Sequence, residues 1–588
     1  MNRFATVFGL SAVWLLGCGL SACCGQDADA ALTSFFKTYL DEGFAMRPME
    51  ATQLGDHRFD HLLDDLSPAA RKGWVEHARR TLDNLPKQID YEKLSPAGKI
   101  DYDILRHELT KTLWAAENTH PFEEDPRTYN NYVSDSTFLL LTQSTLPKEK
   151  NVANCIARMK QIPKVLAAAR ENLRNPSRVA TETAIRQNRG AIAFYESEIF
   201  EIAGKTEQTD AMRAAAKPVV AALKDYQQFL EKDLLPRANG DWRLGKERFA
   251  KKLEMELDAG LTADQVLADA EAEFVRVERD MYVIARQLWG RYFPKKPLPP
   301  DDEEGRHATI AAVLGAVAQE HGNPENLTRD ARATVADVKR FIAENNILRL
   351  PDPDRCQIIE MPEFQRGNST AYMNSAPPLD TKAVGFYAVS PPPKDWDAKR
   401  VKSFLEEYNS HMLQILTIHE AYPGHYVQLE YANRNPSLVR RVLGSGVYIE
   451  GWAVYTEQTM LDQGYGKGDL ALRLTQLKFY LRAVANAILD HKMHCTAMTD
   501  DEAMHLLRDR AFQSEGEARL KVIRAKQSSC QLSTYFVGRM AMYRLRQSVQ
   551  RELGDRFDLA RYHEAVLNLG SVPVKCLPEL VRQALETK

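Results

Sequence analysis

The chain has 588 residues, of which 44% are hydrophobic and 27% charged, so it is long enough for a large core and has an ordinary globular composition. Its formal net charge of −3 provides no basic surface, which excludes nucleic acid as a partner class. Beyond residue 30 the cysteines are odd in number and contain no C-x-x-C pair, so we expect no disulfide framework: Cys155, Cys356, Cys495, Cys530 and Cys576.

Residues 1–30 have the pattern of an export signal, with a basic start and an apolar run over residues 4–16 that is too short to span a bilayer. Two cysteines, Cys18 and Cys23, end the sequences LLGC and LSAC, which resemble the processing site of bacterial lipoproteins. We therefore expect an exported lipoprotein, in the periplasm or at the outer membrane, whose only link to a membrane is this lipid. Cleavage after Ala30 is the alternative and gives a soluble secreted chain.

Most of the remaining chain predicts helices. Ser95 stands at an N-cap position before a segment whose apolar residues lie three and four apart. Thr262 with Gln265, and Thr499 with Glu502, have the spacing of capping boxes at the start of periodic segments. The sequence therefore predicts a mainly α fold.

The stretch from residue 349 to residue 394 differs from this helical pattern. Its short β-branched or aromatic segments CQIIEMPEF, STAYMN and VGFYAVS are separated by proline and glycine, and they predict a small sheet inserted around residues 355–390. The proline cluster at residues 294–300 is a candidate boundary between an N-terminal helical region, 31–293, and a catalytic α-rich region, 300–588. One continuous α-rich unit is the alternative.

The segment LTIHEAYPGHYVQLEY, residues 416–431, contains the most informative motif. In H-E-x-x-H zinc helices the histidines lie four residues apart, so one helical face presents both nitrogens to the metal. His419 and His425 lie six residues apart, and on a regular helix six steps of about 100° turn the second histidine about 120° away from the first. Pro423 and Gly424 predict an interruption of the helix that returns His425 toward His419.

A catalytic zinc site needs three protein ligands and an open position for water. Glu450, in SGVYIEGWAVYTEQ, is the candidate third ligand beside His419 and His425. Glu457, seven residues later on nearly the same helical face, is either a carboxylate behind the ligands or an alternative ligand. Glu420 is then the general base that draws a proton from water activated by zinc. His and Glu ligands also suit manganese or cobalt.

Each of these residues also has an ordinary structural interpretation. A His-Glu pair on a helix usually forms part of a solvated face, and a single histidine such as His425 is more often a loop residue than a ligand. Trp452 and Tyr455 in EGWAVY can simply fill a core. The metal interpretation depends on the joint occurrence of the motifs.

The paired segments HEAYPGHYVQ and EGWAVYTEQ are similar to the signature of the domain-of-unknown-function 885 family, exported bacterial proteins regarded as zinc metallopeptidases related to the long-helix carboxypeptidases. Other segments extend the resemblance over about residues 35–585. RPMEATQLGDHRFDHLLDDLSP resembles the family's opening, AYMNSAPP and GFYAV resemble its central strands, and DHKMH resembles its D-x-x-x-H element. The resemblance implies a multi-helix, metallopeptidase-like body.

The C-terminal segment RAKQSSCQLSTYFVGR matches an Arg, Gln, Tyr and Gly pattern of that family, through Arg524, Gln531, Tyr535 and Gly538. Relatives often have Pro-Gly before the glutamine, whereas this chain has Ser529 and Cys530. The backbone around Gln531 is therefore a point at which this chain is expected to differ.

The resemblance implies the same metal ligands and the same base as the residues themselves predict. It also implies two hydrogen-bond donors to the tetrahedral oxyanion, His494 and Tyr535. Both have a structural alternative, a helix cap for His494 and a core position for Tyr535.

The sequence thus predicts an exported zinc-dependent metallopeptidase that hydrolyses peptide or related amide bonds, with Glu420 activating the zinc-bound water. Its partner is a peptide, whose backbone the strands near Tyr372 and Tyr387 are expected to hold. Arg524 is a candidate for binding a C-terminal carboxylate, as a carboxypeptidase or dipeptidase would require. Nothing in the sequence indicates an oligomeric state.

The rival interpretation is a non-catalytic envelope lipoprotein that uses a peptidase fold to bind peptides or to act as a scaffold. A binder does not need both histidines and both glutamates of the site, and the chain has all four: His419, Glu420, His425 and Glu450.

Overall fold

The prediction of a mainly α fold is confirmed, because 74% of the structure is helical. The computed structural model describes residues 16–361, 371–394 and 396–586, and it describes side chains from residue 27 onward. Most of the predicted signal segment, including the side chains of the two lipobox cysteines, lies outside the described part of the chain.

Fifteen α-helices precede the sheet in the described chain. They are α1 (Leu16–Met46), α2 (Pro48–Leu54), α3 (Pro68–Gln88), α4 (Pro96–Asn118), α5 (Pro121–Glu124), α6 (Arg127–Thr142), α7 (Lys148–Met159), α8 (Ile162–Asn172), α9 (Arg178–Ala193), α10 (Ile199–Ala203), α11 (Thr209–Phe229), α12 (Lys246–Leu257), α13 (Ala263–Tyr292), α14 (Glu303–Val317) and α15 (Leu327–Glu344).

Eleven α-helices follow the sheet in the described chain. They are α16 (Ala398–Glu407), α17 (Ser410–Glu420), α18 (His425–Asn433), α19 (Leu438–Val442), α20 (Gly446–Asp462), α21 (Leu470–Cys495), α22 (Asp500–Met504), α23 (Glu515–Gln527), α24 (Thr534–Leu553), α25 (Leu559–Leu567) and α26 (Leu577–Glu586).

The helix starts follow the predicted caps. The Ser95 hydroxyl accepts a hydrogen bond from a backbone N–H of the first turn of α4. Thr262 with Gln265, and Thr499 with Glu502, form complete capping boxes at the starts of α13 and α22. Each box satisfies backbone N–H groups that have no partner within the helix, which is why these starts are readable from the sequence.

In the described part of the chain the predicted sheet has three strands, β1 (Cys356–Glu360), β2 (Ala371–Asn374) and β3 (Gly385–Val389). Their order is β1-β3-β2, with β1 parallel and β2 antiparallel to β3. The central strand β3 is paired on both sides and its Tyr387 is fully buried, so it cannot accept another strand. The expectation that strands near Tyr372 and Tyr387 hold a substrate backbone is therefore wrong for Tyr387, and only β2 remains a candidate.

The hydrophobic core does not change at the proline cluster 294–300. Leu288 and Ile310, on either side of it, belong to one large cluster that also contains the core of the C-terminal helices. A second, separate cluster is formed by buried side chains between Leu66 and Leu234, mainly from α6 to α11, which we call the α6–α11 unit. The division into regions 31–293 and 300–588 stays a prediction.

The segment PMEATQLGDHRF, residues 48–59, is joined to the loop that follows β2. His57 bridges two carboxylates, with Nδ1 2.8 Å from Asp60 Oδ2 and Nε2 3.1 Å from Asp380 Oδ2. The hydrogen bond with Asp60 and, to a smaller extent, the one with Asp380 raise the pKa of His57 to about 9, although burial acts in the opposite direction. The protonated imidazole therefore ties the start of the chain to the sheet at neutral pH.

The helices α20 and α24 cross at two glycines, Gly451 and Gly538. A Cβ atom on Gly451 would lie under 3.0 Å from the backbone of Gly538, and one on Gly538 would lie under 3.0 Å from the carbonyl of Val447. Real Cβ atoms do not approach backbone so closely, so the two helices can touch in this way only because neither residue has a side chain.

Substitution of either glycine should therefore force the two helices apart. We expect Gly451→Ala and Gly538→Ala each to lower the free energy of unfolding by about 3 kcal/mol, since overpacking a rigid contact displaces backbone. Gly446→Ala, at the start of α20 with no heavy atom within 4 Å of its added Cβ, is the matched control. Thermal unfolding measures the difference, and a Gly451→Ala variant as stable as Gly446→Ala would show that the helices do not depend on this contact.

Candidate metal centre

The two histidines of the motif lie on separate helices, as the sequence predicts. The helix α17 ends at Glu420, Ala421 leaves the helical conformation at φ −116° and ψ −80°, and α18 begins at His425. The intervening turn contains a cis peptide bond before Pro423. The rings of His419 and His425 lie edge to face, with centroids 4.8 Å apart and planes at 88°.

Gly424 is required at the tightest point of this turn. A Cβ atom there would lie under 3.0 Å from the carbonyl oxygens of Ile418 and His419. The indole of Trp452, fully buried on α20, donates a hydrogen bond of 2.8 Å to the carbonyl of Pro423. The turn is therefore held against α20, the helix that also contributes Glu450.

The three predicted ligands converge. Glu450 Oε2 lies 3.4 Å from His425 Nε2 and 3.9 Å from His419 Nε2, and one ligand atom from each residue lies within 4.8 Å of the others. A tetrahedral ion bound at about 2.1 Å separates its ligand atoms by about 3.4 Å. The donor set thus fits one divalent ion after a small contraction. Within the described residues it is the one such group of His, Cys, Asp or Glu side chains.

The polar groups at this cluster support the same interpretation. Glu450 Oε2 is buried and makes no hydrogen bond with any described residue. Buried carboxylate oxygens are rarely left unsatisfied, and a cation held by the three side chains would satisfy this one. Burial lowers the pKa of His419 to about 3, which keeps its imidazole neutral, the form that binds metal.

Glu457 lies behind the ligands. Its Oε1 is 2.7 Å from His419 Nδ1, and its side chain is completely buried. A carboxylate that accepts from Nδ1–H leaves the Nε2 lone pair of His419 directed toward Glu450. Of the two roles that the sequence leaves open for Glu457, the geometry favours the carboxylate behind the ligand.

Glu420 is close to the ligands but belongs to a different set of contacts. Its Oε2 accepts a hydrogen bond of 2.9 Å from the backbone N–H of Met373 on β2, and the residue lines a cavity. Burial raises the pKa of Glu420 to about 7. A carboxylate with this pKa, next to the ligands and facing open space, has the properties of a general base at neutral pH.

Tyr535 joins the same site from α24. The crossing of α24 with α20 at the two glycines brings its phenol beside Glu450. Burial, and then the charge of Glu450, raise the pKa of the hydroxyl. The hydroxyl also accepts hydrogen bonds from Gln531 Nε2 at 3.2 Å and from Arg524 Nη2 at 3.4 Å. It lines the same cavity as Glu420.

His494 is not brought to the site. Its Nε2 donates to the carbonyls of Ala525 and Ser528, each at 3.0 Å, and its Nδ1 lies 3.4 Å from the N–H of Leu244. The ring packs against Phe249 with centroids 5.5 Å apart. The role that the resemblance implies, an oxyanion donor, therefore does not agree with this geometry, because both nitrogens are occupied.

The D-x-x-x-H element has a positioning role instead. Asp490 accepts from Cys530 N at 3.0 Å and from Ser533 Oγ at 2.8 Å. Together with His494 it fixes the connection that leads from α23 to Tyr535. Cys530 takes a left-handed conformation with φ 71°, one that glycine adopts freely, so the departure from Pro-Gly leaves a glycine-like backbone at this point.

The cavity at the site has a volume of about 1060 Å³. One wall comes from the metal centre and from α21 and α23, and the opposite wall comes from α6 and α9 of the α6–α11 unit. The walls are joined through Gln527, whose carbonyl accepts from Arg127 at 2.7 Å and whose Nε2 donates to Thr183 at 2.6 Å. The wall formed by α6 and α9 is not predictable from the sequence, because no local pattern in those helices indicates a ligand.

A second cavity, of about 450 Å³, borders Glu450 from another side. Its lining includes Ser529, Gln531 and Thr534 from the connection before α24. The metal centre thus has open space on two sides.

Fold and site together define an α-rich protein with a partly buried His-His-Glu cluster, whose His419 borders a large cavity. The sequence model of the family described as "Bacterial protein of unknown function (DUF885)" matches residues 48–581, and the chain belongs to this family.

Two solved structures are similar to this chain. A protein of Shewanella oneidensis, described as a candidate lipoprotein of unknown function, is 30% identical, with a TM-score of 0.78 over 94% of this chain and 99% of its own. A candidate lipoprotein of Colwellia psychrerythraea has the same TM-score at 20% identity, over 95% of this chain and 100% of its own, and shows the fold alone. No curated protein matches the chain. Among the described residues, no helix combines the length and apolarity that crossing a bilayer requires.

The role of Glu457 generates a prediction. Glu457→Gln should weaken zinc affinity by about 10-fold to 100-fold, because the amide no longer raises the basicity of His419. Competition titration with a zinc chelator measures the affinity, and circular dichroism checks that the helix content is unchanged. Asp462→Asn, at the far end of α20, is the control and should leave the affinity unaltered. Equal affinities for wild type and Glu457→Gln would show that Glu457 does not support His419 as a ligand.

Proposed function

We propose that this protein is an exported zinc-dependent peptidase. The observation that supports the proposal best is that four adjacent side chains have two different positions. His419, His425 and Glu450 form a metal-ligand set, while Glu420 lies beside them, outside the set, and faces the cavity. A site that only binds metal has no use for the fourth group.

The three ligands would hold zinc, which when bound acts as a Lewis acid that polarises a carbonyl and lowers the pKa of water. Glu420 accepts the proton of the attacking water and passes it to the leaving amine. Its pKa of about 7 suits both transfers, and the N–H of Met373 keeps the carboxylate oriented.

Tyr535 stabilises the oxyanion of the tetrahedral intermediate by donating its hydroxyl proton. The hydroxyl accepts from Gln531 and Arg524 and lies beside Glu450, so its proton would turn to a substrate oxygen once Glu450 holds the metal. Donors held in place before the reaction act strongly in a site shielded from water.

The edge of β2 provides a place for the substrate backbone. The N–H of Met373 points away from β3 to Glu420, and residues two apart on a strand present their backbone groups to the same side. Ala371 lies two residues before Met373 and lines the cavity. An extended peptide that pairs with this edge lies beside Glu420 with its scissile carbonyl near the ligands.

Substitution of Glu420 separates a catalyst from a binder. Glu420→Gln should lower hydrolysis by about 100-fold to 10,000-fold and leave the metal content unchanged, because an amide fills the same space but cannot take a proton. His419→Ala and Glu450→Ala should lose metal and activity together. Glu515→Gln, an exposed carboxylate on α23, is the control.

The measurement is metal stoichiometry and hydrolysis of a mixed peptide library on the same purified samples. Undiminished hydrolysis by Glu420→Gln would place the chemistry elsewhere. A wild type that binds metal and peptide but cleaves nothing would favour the non-catalytic envelope lipoprotein.

We further propose that a lipid on Cys18 or Cys23 attaches the protein to a bacterial membrane. The lipobox-like sequences support this, as do the two similar structures described as candidate lipoproteins. Mass spectrometry of the N-terminus from native membranes should find the cysteine modified. A free N-terminus at Ala31 would reject the anchor and leave the peptidase proposal intact.

A further inference from the structure

A buried lysine in the wall of the large cavity has no partner in the described chain. Lys521, on α23, is 5% exposed and lines the cavity. Its amine makes no ion pair or hydrogen bond with any described residue. Burial lowers the pKa of Lys521 well below its ordinary value, and the guanidinium groups of Arg482 and Arg524 act in the same direction.

The surrounding charges leave an excess of positive charge at this wall. Glu517 is engaged by Arg482, at 3.3 Å, and by the hydroxyl of Tyr408, at 2.8 Å. Arg524, three residues after Lys521 and thus on the same helical face, donates to two neutral groups, Gln531 at 2.7 Å and the Tyr535 hydroxyl. Lys521 and Arg524 are therefore two cations without a carboxylate partner in the described residues.

The side chain of Lys521 is buried up to the cavity, where its amine is shielded from bulk water, and an ammonium in such a place gains from contact with an anion. Glu517 acts on Lys521 electrostatically but forms no ion pair with it, so the carboxylate of a molecule in the cavity would supply the missing direct contact. Arginine is suited to bidentate contact with a carboxylate and lysine to a single strong contact.

The position of the two cations relative to the metal centre limits the length of this molecule. Arg524 contacts Tyr535, and Tyr535 lies beside the ligand Glu450. Only one side chain therefore separates the cations from the ligand set. An extended peptide advances about 3.3 Å per residue, so a carboxylate bound here lies one or two residues beyond a scissile bond at the metal.

We propose that Lys521 and Arg524 bind the free C-terminal carboxylate of a peptide, so that the protein removes one or two residues from the C-terminal end of its substrates. This inference rests on the proposed peptidase function. In this arrangement α23 contacts the part of the substrate that follows the scissile bond. Lys521 then contributes to specificity.

The test compares two ligands that differ in one charge. N-acetylated trialanine as free acid, and the same peptide as C-terminal amide, are titrated calorimetrically into the full-length, zinc-loaded Glu420→Gln protein. We expect the acid to bind at least about 10-fold more tightly, since a charged hydrogen bond in a buried site has about that effect. An amide peptide ending in glutamate distinguishes a terminal carboxylate from an acidic side chain.

Substitutions on α23 connect the preference to Lys521. Lys521→Met, added to the Glu420→Gln protein, should reduce the acid preference to about 2-fold or less while metal content stays the same. Removal of a buried, unpaired charge should not lower the melting temperature. Lys521→Arg should retain most of the preference. Lys526→Met is the matched control. Lys526 lies on the same helix as Lys521, but it already has a partner, Asp500 of α22, at 2.7 Å.

The outcomes separate this inference from the peptidase proposal. Equal affinity for acid and amide, no binding of the acid, tighter binding of the glutamate-ended amide, or a preference that survives in Lys521→Met would overturn the carboxylate site. Wild-type protein that hydrolyses free acids and amides at equal rates would remain a peptidase without this site. Acid-selective binding without hydrolysis by the wild type would retain the site and reject the peptidase.

Discussion

The structure of the metal centre depends on one interruption, the turn between α17 and α18. On a continuous helix His425 would point about 120° away from His419, and no third ligand could bring the two together. Gly424 allows the chain to pass close to the carbonyls of α17, and the hydrogen bond from Trp452 to Pro423 fixes the turn against α20. This turn therefore has two effects. It brings together two histidines that are six residues apart, and it sets their distance to Glu450 on α20.

A second constraint, the contact of two glycines where α20 crosses α24, extends the site beyond its ligands. Because the backbones touch there, Tyr535 reaches Glu450, although 85 residues separate them in sequence. The connection before α24 is held by Asp490 and His494, whose polar atoms are used entirely within the protein. A histidine that resembles a catalytic residue in sequence thus acts by positioning a tyrosine.

The cavity is formed between parts of the chain that have separate hydrophobic cores. The α6–α11 unit packs its own interior and supplies only a wall, which is joined to α23 through Gln527. The link from His57 to Asp380 joins the beginning of the chain to the sheet in a similar way. Under the proposed function, a substrate in this space would contact the metal ligands, the edge of β2 and the cations of α23 together, so the enclosure itself would contribute to selectivity.

The sequence by itself determined the helical class, the helix caps, the small sheet and the candidate site residues His419, Glu420, His425 and Glu450. Each of these depends on local spacing: a capping box within one turn, alternation along a strand, and a proline and glycine between two histidines. Only the tertiary structure decided that Glu457 lies behind His419, that His494 is structural, that β3 is closed by its neighbours, and that Lys521 is buried beside the site. These properties arise from contacts between residues tens to hundreds of positions apart, and the packing that creates such contacts leaves no periodic trace in the sequence.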